Sequence, residues 1–125
     1  MRFLMMVKAD KDFEAGRPPS PALMAAIGSL SEEMGRAGVL LETGGLLPSS
    51  AGAKVKVAGG KLSVTDGPFT ETKELVGGYA IIRAASRAEA IAHGRRFMSL
   101  HAEILGPAYE GELEIRQLAD FEPAS

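Results

Sequence analysis

The sequence predicts an α+β domain with a ferredoxin-like βαββαβ plan and an inserted β-hairpin. Three observations support this fold class. Strand and helix patterns follow one another in the order strand, helix, strand, hairpin, strand, helix, strand. The segments 2–8 and 78–83 carry apolar residues at both odd and even positions, and so on both faces of a strand, which indicates central strands. Gly59 and Gly60 separate two alternating segments, which is a strong hairpin signal.

The chain begins with a strand and a helix. Residues 2–8 form the strand. Ser20 and Pro21 mark the start of the helix, because serine is a preferred N-cap and proline is tolerated at the first helical position. Gly38 ends it. Apolar residues recur between these ends at helical spacing: Leu23, Ile27, Leu30 and Met34.

A second strand starts at Val39, bends at Gly44–Gly45 and stops before Pro48. The hairpin follows at 54–65. A two-residue loop at Gly59–Gly60 sets the strand register, which pairs Ala58 with Lys61. One face then carries Val55, Val57, Leu62 and Val64, and the opposite face carries Lys54, Lys56 and Lys61.

The second half contributes a strand, a helix and a closing strand. Ser86 and Glu89 match a capping box, and the helix they open is predicted to run to about Met98. Its predicted inner stripe is Ala88, Ile91 and Met98, widened by Ala90 and Phe97. Residues 100–111 have no clean period and are predicted to be a loop that contains His101. Residues 112–118 alternate as a strand, and 121–125 are predicted to be a loose tail.

Composition limits the classes of function. The 125 residues fit one domain, predicted at 1–120, and a net charge of −2 argues against nucleic acid as a partner. The lack of Cys excludes disulfides and thiolate chemistry and fits a cytoplasmic protein. The apolar segment 3–7 is too short for a signal-peptide core or a membrane span.

The two strands with apolar residues on both faces also predict an assembly of subunits. Two helices can cover only one face of the sheet, so the second face needs another cover. An identical sheet from another subunit is the simplest one. The sequence therefore predicts a homodimer.

Residues 66–74 are the best candidate for a working site. They read Asp66, Gly67, Pro68, Phe69, Thr70, Glu71, Thr72, Lys73 and Glu74, directly after a strand. Asp, Gly and Pro favour a tight turn, and Phe69 is expected to fix the loop inward. A loop held in this way can present charged side chains in fixed positions.

This segment, with Gly77, Gly78 and Tyr79 after it, resembles the signature of the YCII-related, DGPF-domain family. Further similarity lies at 1–10, 38–41, 48–50 and 112–116, so the resemblance covers most of the chain. It implies a dimeric α+β barrel, in which two ferredoxin-like sheets pack face to face around a cavity. By analogy with isomerases and monooxygenases on related barrels, it also implies a small-molecule enzyme.

The resemblance carries over one catalytic candidate, Asp66 of the DGPF motif. Some YCII-related proteins have a His near the start of the first helix that pairs with an Asp in acid/base work, but residues 18–26 contain no His. Other members are encoded beside extracytoplasmic-function sigma factors, which leaves a regulatory role open.

Each candidate residue has a functional interpretation and a plainer one. Asp66 beside Phe69 would be a general acid or base with a raised pKa, or else a turn cap. Lys8, Lys73 or Tyr79 would fix a substrate by a polar contact. Alternatively, Lys8 reaches solvent, Lys73 belongs to a solvated charge run with Glu71 and Glu74, and Tyr79 packs in the core.

Neither a metal nor a cofactor is predicted. His93 and His101 have no second His or carboxylate at ligand spacing. The glycine pairs at 59–60 and 77–78 form neither a GxGxxG motif nor a phosphate loop.

Three functions follow. The favoured one is an isomerase, lyase or cofactor-free oxygenase that acts on a small organic molecule in the barrel cavity, with Asp66 handling the proton. The second is a non-catalytic ligand-binding or sigma-factor-associated regulatory module, which the missing His favours. The third is a structural dimer whose loop only closes the barrel.

Overall fold

The structure is a computed structural model that describes residues 1–70 and 74–120. The candidate residue Lys73 and the predicted tail at 121–125 lie outside the described residues.

Six strands and three helices are present in this part of the chain. The strands are β1 (Arg2–Lys8), β2 (Leu40–Gly45), β3 (Ala53–Ala58), β4 (Lys61–Asp66), β5 (Val76–Arg83) and β6 (Leu113–Gln117). The helices are α1 (Lys11–Glu14), α2 (Pro21–Arg36) and α3 (Arg87–Leu105), and a 3₁₀ turn covers Ser49–Ala51.

The strands form one main sheet and a separate hairpin. The main sheet is antiparallel with the order β2-β5-β1-β6, and β3 pairs with β4 in a second, two-stranded sheet. With α2 and α3 as the crossover helices, this is the ferredoxin-like plan with an inserted hairpin. The predicted fold class is therefore confirmed. In the described residues of a single chain the sheet stays open and closes no barrel.

The core lies between the sheet and the two long helices. Phe3 and Ile82 are fully buried on the helix-facing side of the sheet. They pack with Leu30, Met34 and Ala90 of α2 and α3. Ile82 pairs with Phe3 across the two central strands, so the predicted central strands do adjoin.

The other side of the sheet, called here the open face, points away from α2 and α3. Side chains alternate along a strand, so those between the core residues Phe3, Met5 and Ile82 point to the open face. Its central side chains are half-buried: Leu4, Met6, Tyr79 and Ile81. An apolar surface of this kind is what the predicted second subunit would cover.

The predicted helix ends are confirmed at three points. The Ser20 hydroxyl accepts a hydrogen bond from the Leu23 N–H at 3.3 Å. The Ser86 hydroxyl accepts one from the Glu89 N–H at 3.1 Å. Gly38 follows α2 with a φ of 76°, a conformation that glycine adopts without strain.

The prediction that the second long helix ends near Met98 was wrong. α3 continues to Leu105, and His101 lies inside it rather than in a loop. The inner stripe of α3 is Ala90, Gly94, Phe97 and His101, while Ala88 is exposed. The polar His101 interrupts the helical spacing of apolar residues on this stripe, so the sequence of the last two turns shows no clear helical pattern.

The short helix α1 has no counterpart among the predicted elements. Asp10 caps it, because its carboxylate accepts a hydrogen bond from the Phe13 N–H at 2.8 Å. A single turn is too short to show a helical period.

The predicted register of the hairpin is confirmed. Val57 pairs with Leu62, Val55 with Val64, and Ala58 with Lys61. The hairpin face, Val55, Val57, Leu62 and Val64, is 68–73 % exposed. Four large apolar side chains therefore lie together on the surface of a single chain.

Among the described residues, no helix has the length and apolar character needed to cross a membrane.

Candidate functional site: a cleft between the helices and the sheet

A cavity of about 780 Å³ lies between the two long helices and the helix-facing side of the sheet. This helix–sheet cleft is mostly apolar, with Met5, Leu23, Ile27, Leu30 and Leu113 among its lining residues. A few polar residues also reach it, including Ser20, Ser31, Thr43 and His101. An apolar cavity of this size with few polar groups is typical of a small-molecule site.

The side chains of β5 explain where the cleft opens. The β5 side chains that face the helices decrease in size along the strand, from Ile82 through Ala80 to Gly78. Ile82 fills the closed end of the core and is 0 % exposed. Gly78 has no side chain, so the space between sheet and helices is left unfilled at the other end.

His101 is the only polar residue that is buried in the described part of the chain, at 6 % exposure. Its Nδ1 lies 3.1 Å from the backbone carbonyl of Phe97, one helical turn earlier. Its ring meets the Phe97 ring edge-on at 4.8 Å between centroids and lies roughly parallel to the Tyr109 ring at 5.6 Å. The imidazole is thus held by one hydrogen bond and two aromatic rings.

Tyr109 brings a second polar group to the cleft. Burial raises the pKa of its phenol above the ordinary value, and the negative charge of Asp10 raises it further. Asp10 also lines the cleft from the start of α1. The phenol therefore stays neutral and can donate a hydrogen bond over the physiological pH range.

A chain of hydrogen bonds connects the rim of the cleft to the loop after β4. The Glu14 carboxylate accepts from the Ser49 N–H at 2.7 Å and from the Ser49 hydroxyl. The same hydroxyl accepts from the Phe69 N–H at 3.0 Å. Since Phe13 of the same short helix lines the cleft, the Glu14–Ser49–Phe69 chain joins this loop to the cleft wall.

The comparison with protein families identifies the chain at this point. A model of the YCII-related domain matches residues 1–102. The chain belongs to the YCII-related family. The resemblance to the YCII-related family is therefore confirmed. No curated protein matches the chain at significant similarity.

The match to the YCII-related domain extends from β1 to just past His101. It includes the hairpin, residues 66–70 and both walls of the cleft that α2 and α3 provide. Tyr109 and β6 lie beyond the matched residues.

Asp66 of this YCII-related protein lies at the end of β4 and is exposed. Its backbone pairs with Ala53, and the next residue, Gly67, donates an N–H to the Gly52 carbonyl at 2.9 Å. The Asp66 carboxylate makes no hydrogen bond to the described residues and is not among those lining the cleft. Asp66 and the cleft are thus separate places in a single chain.

Phe69 also lies outside the cleft lining. It is half-buried, and the ammonium of Lys54 lies 4.3 Å from its ring centroid, close enough for a cation–π contact. Its backbone N–H donates to the Ser49 hydroxyl, so Phe69 is held against the Ser49 turn.

Lys8 and Tyr79 border the cleft, but their side chains belong to the open face. The Lys8 ammonium pairs with the Glu114 carboxylate at 3.2 Å, and Glu114 alternates with the core-packed Leu113 and Ile115. The Tyr79 ring lies over Gly44, where an added Cβ would be 2.8 Å from the ring. The structure therefore brings Lys8 and Tyr79 to one sheet and leaves Asp66 and Phe69 at the hairpin base.

Sequence reasoning missed His101 as a site residue of this YCII-related chain. The available signal was its position on the inner stripe, four residues after Phe97 and seven after Gly94. A polar residue at such a position must be satisfied by a partner or open to a cavity. Nε2 of His93 lies 3.7 Å from a carboxylate oxygen of Glu89 on α3, too far for a hydrogen bond.

No group of three metal-binding side chains is found within residues 1–70 and 74–120.

Proposed function

We propose that this YCII-related protein is an enzyme that binds a small organic molecule in the helix–sheet cleft and transfers a proton to or from it. The supporting observation is the cleft itself, which combines about 780 Å³ of mainly apolar space with a buried imidazole and a neutral phenol. Such groups are the usual means of general acid–base catalysis.

The proposal includes a homodimer. Two apolar surfaces of the single chain support it: the hairpin face and the open face. The hairpin face carries no charged residue, and Lys8 and Glu114 on the open face pair with each other, so each surface can pack against its own copy across a two-fold axis. Face-to-face packing of two open faces would produce the dimeric α+β barrel that the DGPF motif implies.

Asp66 has a place in this proposal only within the dimer. Its carboxylate is exposed in the single chain. A second subunit seated against the hairpin would enclose it and could bring it to a bound molecule. Replacing Asp66 by Asn tests this role, because the neutral side chain would abolish a proton transfer and leave apolar binding intact.

A non-catalytic ligand-binding or sigma-factor-associated regulatory module is the second candidate. The exposed hairpin face favours it, since large apolar patches mark protein contacts. The two candidates differ in one result: an enzyme converts a molecule that binds in the cleft, whereas a regulatory module binds it unchanged. In both cases we place the protein in the cytoplasm, in keeping with its lack of Cys.

The first experiment is a ligand screen against a cleft-filling variant. Ser31 lines the cleft on α2 and is half-buried, so Ser31→Met fills space that a ligand needs. Small aromatic and carbonyl compounds are tested for binding by saturation-transfer NMR and for conversion by product NMR. Compounds that bind the wild type are expected to bind Ser31→Met at least about tenfold more weakly.

The matched control is Ser29→Met on the same helix. Ser29 is exposed and does not line the cleft, so the same added side chain leaves binding unchanged. Equal affinity of both variants for every bound compound would place the ligand elsewhere and refute the proposal.

A further inference from the structure

The imidazole of His101 has one nitrogen in use and one available. Nδ1 contacts the Phe97 carbonyl at 3.1 Å. Nε2 has no hydrogen-bond partner among residues 1–70 and 74–120. Unlike Nε2 of His93, it is not sealed from solvent. Because Nδ1 is turned to the backbone of α3, Nε2 is the ring nitrogen that can reach the cleft, which His101 lines.

The contact with Phe97 fixes the tautomer. A carbonyl oxygen can only accept, so Nδ1 must carry the hydrogen. In the neutral ring, Nε2 is then an unprotonated nitrogen with a lone pair. By accepting from Nδ1, the backbone of α3 leaves Nε2 of His101 as a hydrogen-bond acceptor for the cleft.

The surroundings of His101 favour a flat apolar ligand. Phe97 and Tyr109 flank the imidazole at 4.8 and 5.6 Å, and both line the cleft. Aromatic side chains at such distances pack well with a further ring in offset or edge-on geometry. Leu105 and Leu113, which also line the cleft, add apolar surface near this end of α3.

We propose that His101 fixes the ligand of the cleft, and that this ligand is a small aromatic molecule whose hydroxyl group donates a hydrogen bond to Nε2. The inference rests on the proposed function, since it requires the cleft to bind a small molecule. It adds the chemical class of the ligand and the residue that recognises it. A ligand with a hydroxyl group satisfies an acceptor that a pure hydrocarbon would leave unpaired.

The tautomer is tested on the wild-type protein by ¹⁵N NMR of the histidine side chains. At a pH where the imidazoles are neutral, His101 is expected to show a protonated Nδ1 and an unprotonated Nε2. Addition of 4-methylphenol is expected to shift the Nε2 resonance of His101, whereas p-xylene, which has the same shape without a donor, does not shift it. His93 serves as the internal control. A His101 protonated at Nε2 in the neutral form overturns the inference.

Affinity for the same two probes is then compared between the wild type and His101→Phe, which keeps an aromatic ring and removes both nitrogens. The wild type is expected to bind 4-methylphenol about 3- to 10-fold more tightly than p-xylene, the contribution of one hydrogen bond. In His101→Phe this preference disappears while p-xylene binding is retained. Should the variant fail to fold, the Nε2 shift in the wild type decides.

The outcomes separate this inference from the proposed function. If p-xylene and 4-methylphenol bind the wild type equally and neither shifts Nε2, the cleft binds small molecules but His101 does not select them. If neither probe binds at millimolar concentration, the inference is refuted. The proposed function then depends on the Ser31→Met comparison with other compounds.

Discussion

Gly67 lies so close to the Ser49 turn that a Cβ atom on it would be 1.7 Å from the Ser49 carbonyl oxygen and 2.6 Å from its carbonyl carbon. Both are backbone atoms, so a side chain cannot be accommodated by a rotamer change. We expect Gly67→Ala to lower the free energy of unfolding by about 1–3 kcal/mol, as overpacking does elsewhere. Urea denaturation measures the change.

The control is Gly28→Ala in the middle of α2. Gly28 is exposed, and a Cβ atom there would meet nothing within 4 Å. This substitution is expected to raise the free energy of unfolding by about 0.5–1 kcal/mol, because alanine favours a helix over glycine. A Gly67→Ala protein as stable as the wild type would show that the loop does not approach Ser49 this closely.

The phenol of Tyr109 is expected to ionise above the ordinary tyrosine pKa, because burial and Asp10 both oppose its negative charge. Its contribution to stability is present below the unfolded pKa and is lost as the pH rises through the higher folded value. The chain has two tyrosines, so Tyr79→Phe leaves Tyr109 as the only one. Absorbance of the tyrosinate in this variant gives the pKa directly.

Asp10→Asn removes the negative charge, which is the smaller of the two causes of the raised pKa. The substitution is expected to lower the pKa of Tyr109 part of the way to its ordinary value. A titration of Tyr109 at or below a pKa of about 10 would contradict the described burial.

Single residues were predicted from the sequence where their role is local. The N-caps Ser20 and Ser86 and the glycine after α2 follow from backbone chemistry within a few residues. His101 was not found, because its contact with Tyr109 and its place in the cleft lining depend on elements that are distant in the chain. Asp66 was selected for its motif, which says nothing about the cleft.

At the scale of elements, the hairpin offers the sharpest test of the homodimer. Leu62 and Ser63 are neighbours on β4 that point to opposite faces, and Leu62 belongs to the exposed hairpin face. Leu62→Glu is expected to dissociate the dimer, because a carboxylate in an apolar contact must be desolvated. Ser63→Glu adds the same charge opposite Lys56 and is expected to leave the dimer intact. Sedimentation velocity distinguishes the two.

If Leu62→Glu and Ser63→Glu both stay dimeric, the hairpin face does not contact the second subunit. If both variants are monomeric, the added charge acts on the hairpin generally and not through the hairpin face.

The order of the elements and the hairpin register followed from the sequence because periods of two and of 3.6 residues are local signals. The end of α3 did not, since His101 interrupts the apolar stripe that α3 would otherwise show. The turn of α1 is too short for any period.

At the scale of the whole molecule, a homodimer predicts that thermal stability depends on concentration. Because association stabilises only the folded state, a tenfold increase in protein concentration is expected to raise Tm by about 2–5 °C. Differential scanning calorimetry over a hundredfold range of concentration measures this. A Tm that stays constant over the range would indicate a monomer and refute the dimer.

The position of the cleft could not be predicted from the sequence. Apolar patterns show which side of a helix faces the sheet, but not how far apart the helix and the sheet lie at each end. The spacing here depends on the decreasing size of Ile82, Ala80 and Gly78 against side chains from α2 and α3. These contacts join segments distant in the chain, which local patterns do not describe.

The Glu14–Ser49–Phe69 chain connects the base of the hairpin to the rim of the cleft. If a second subunit on the hairpin moves Phe69, the displacement passes through two hydrogen bonds to α1, whose Phe13 lines the cleft. Assembly and ligand binding are then thermodynamically linked: whatever factor dimerisation applies to the affinity for the ligand, the ligand applies to the association constant of the dimer.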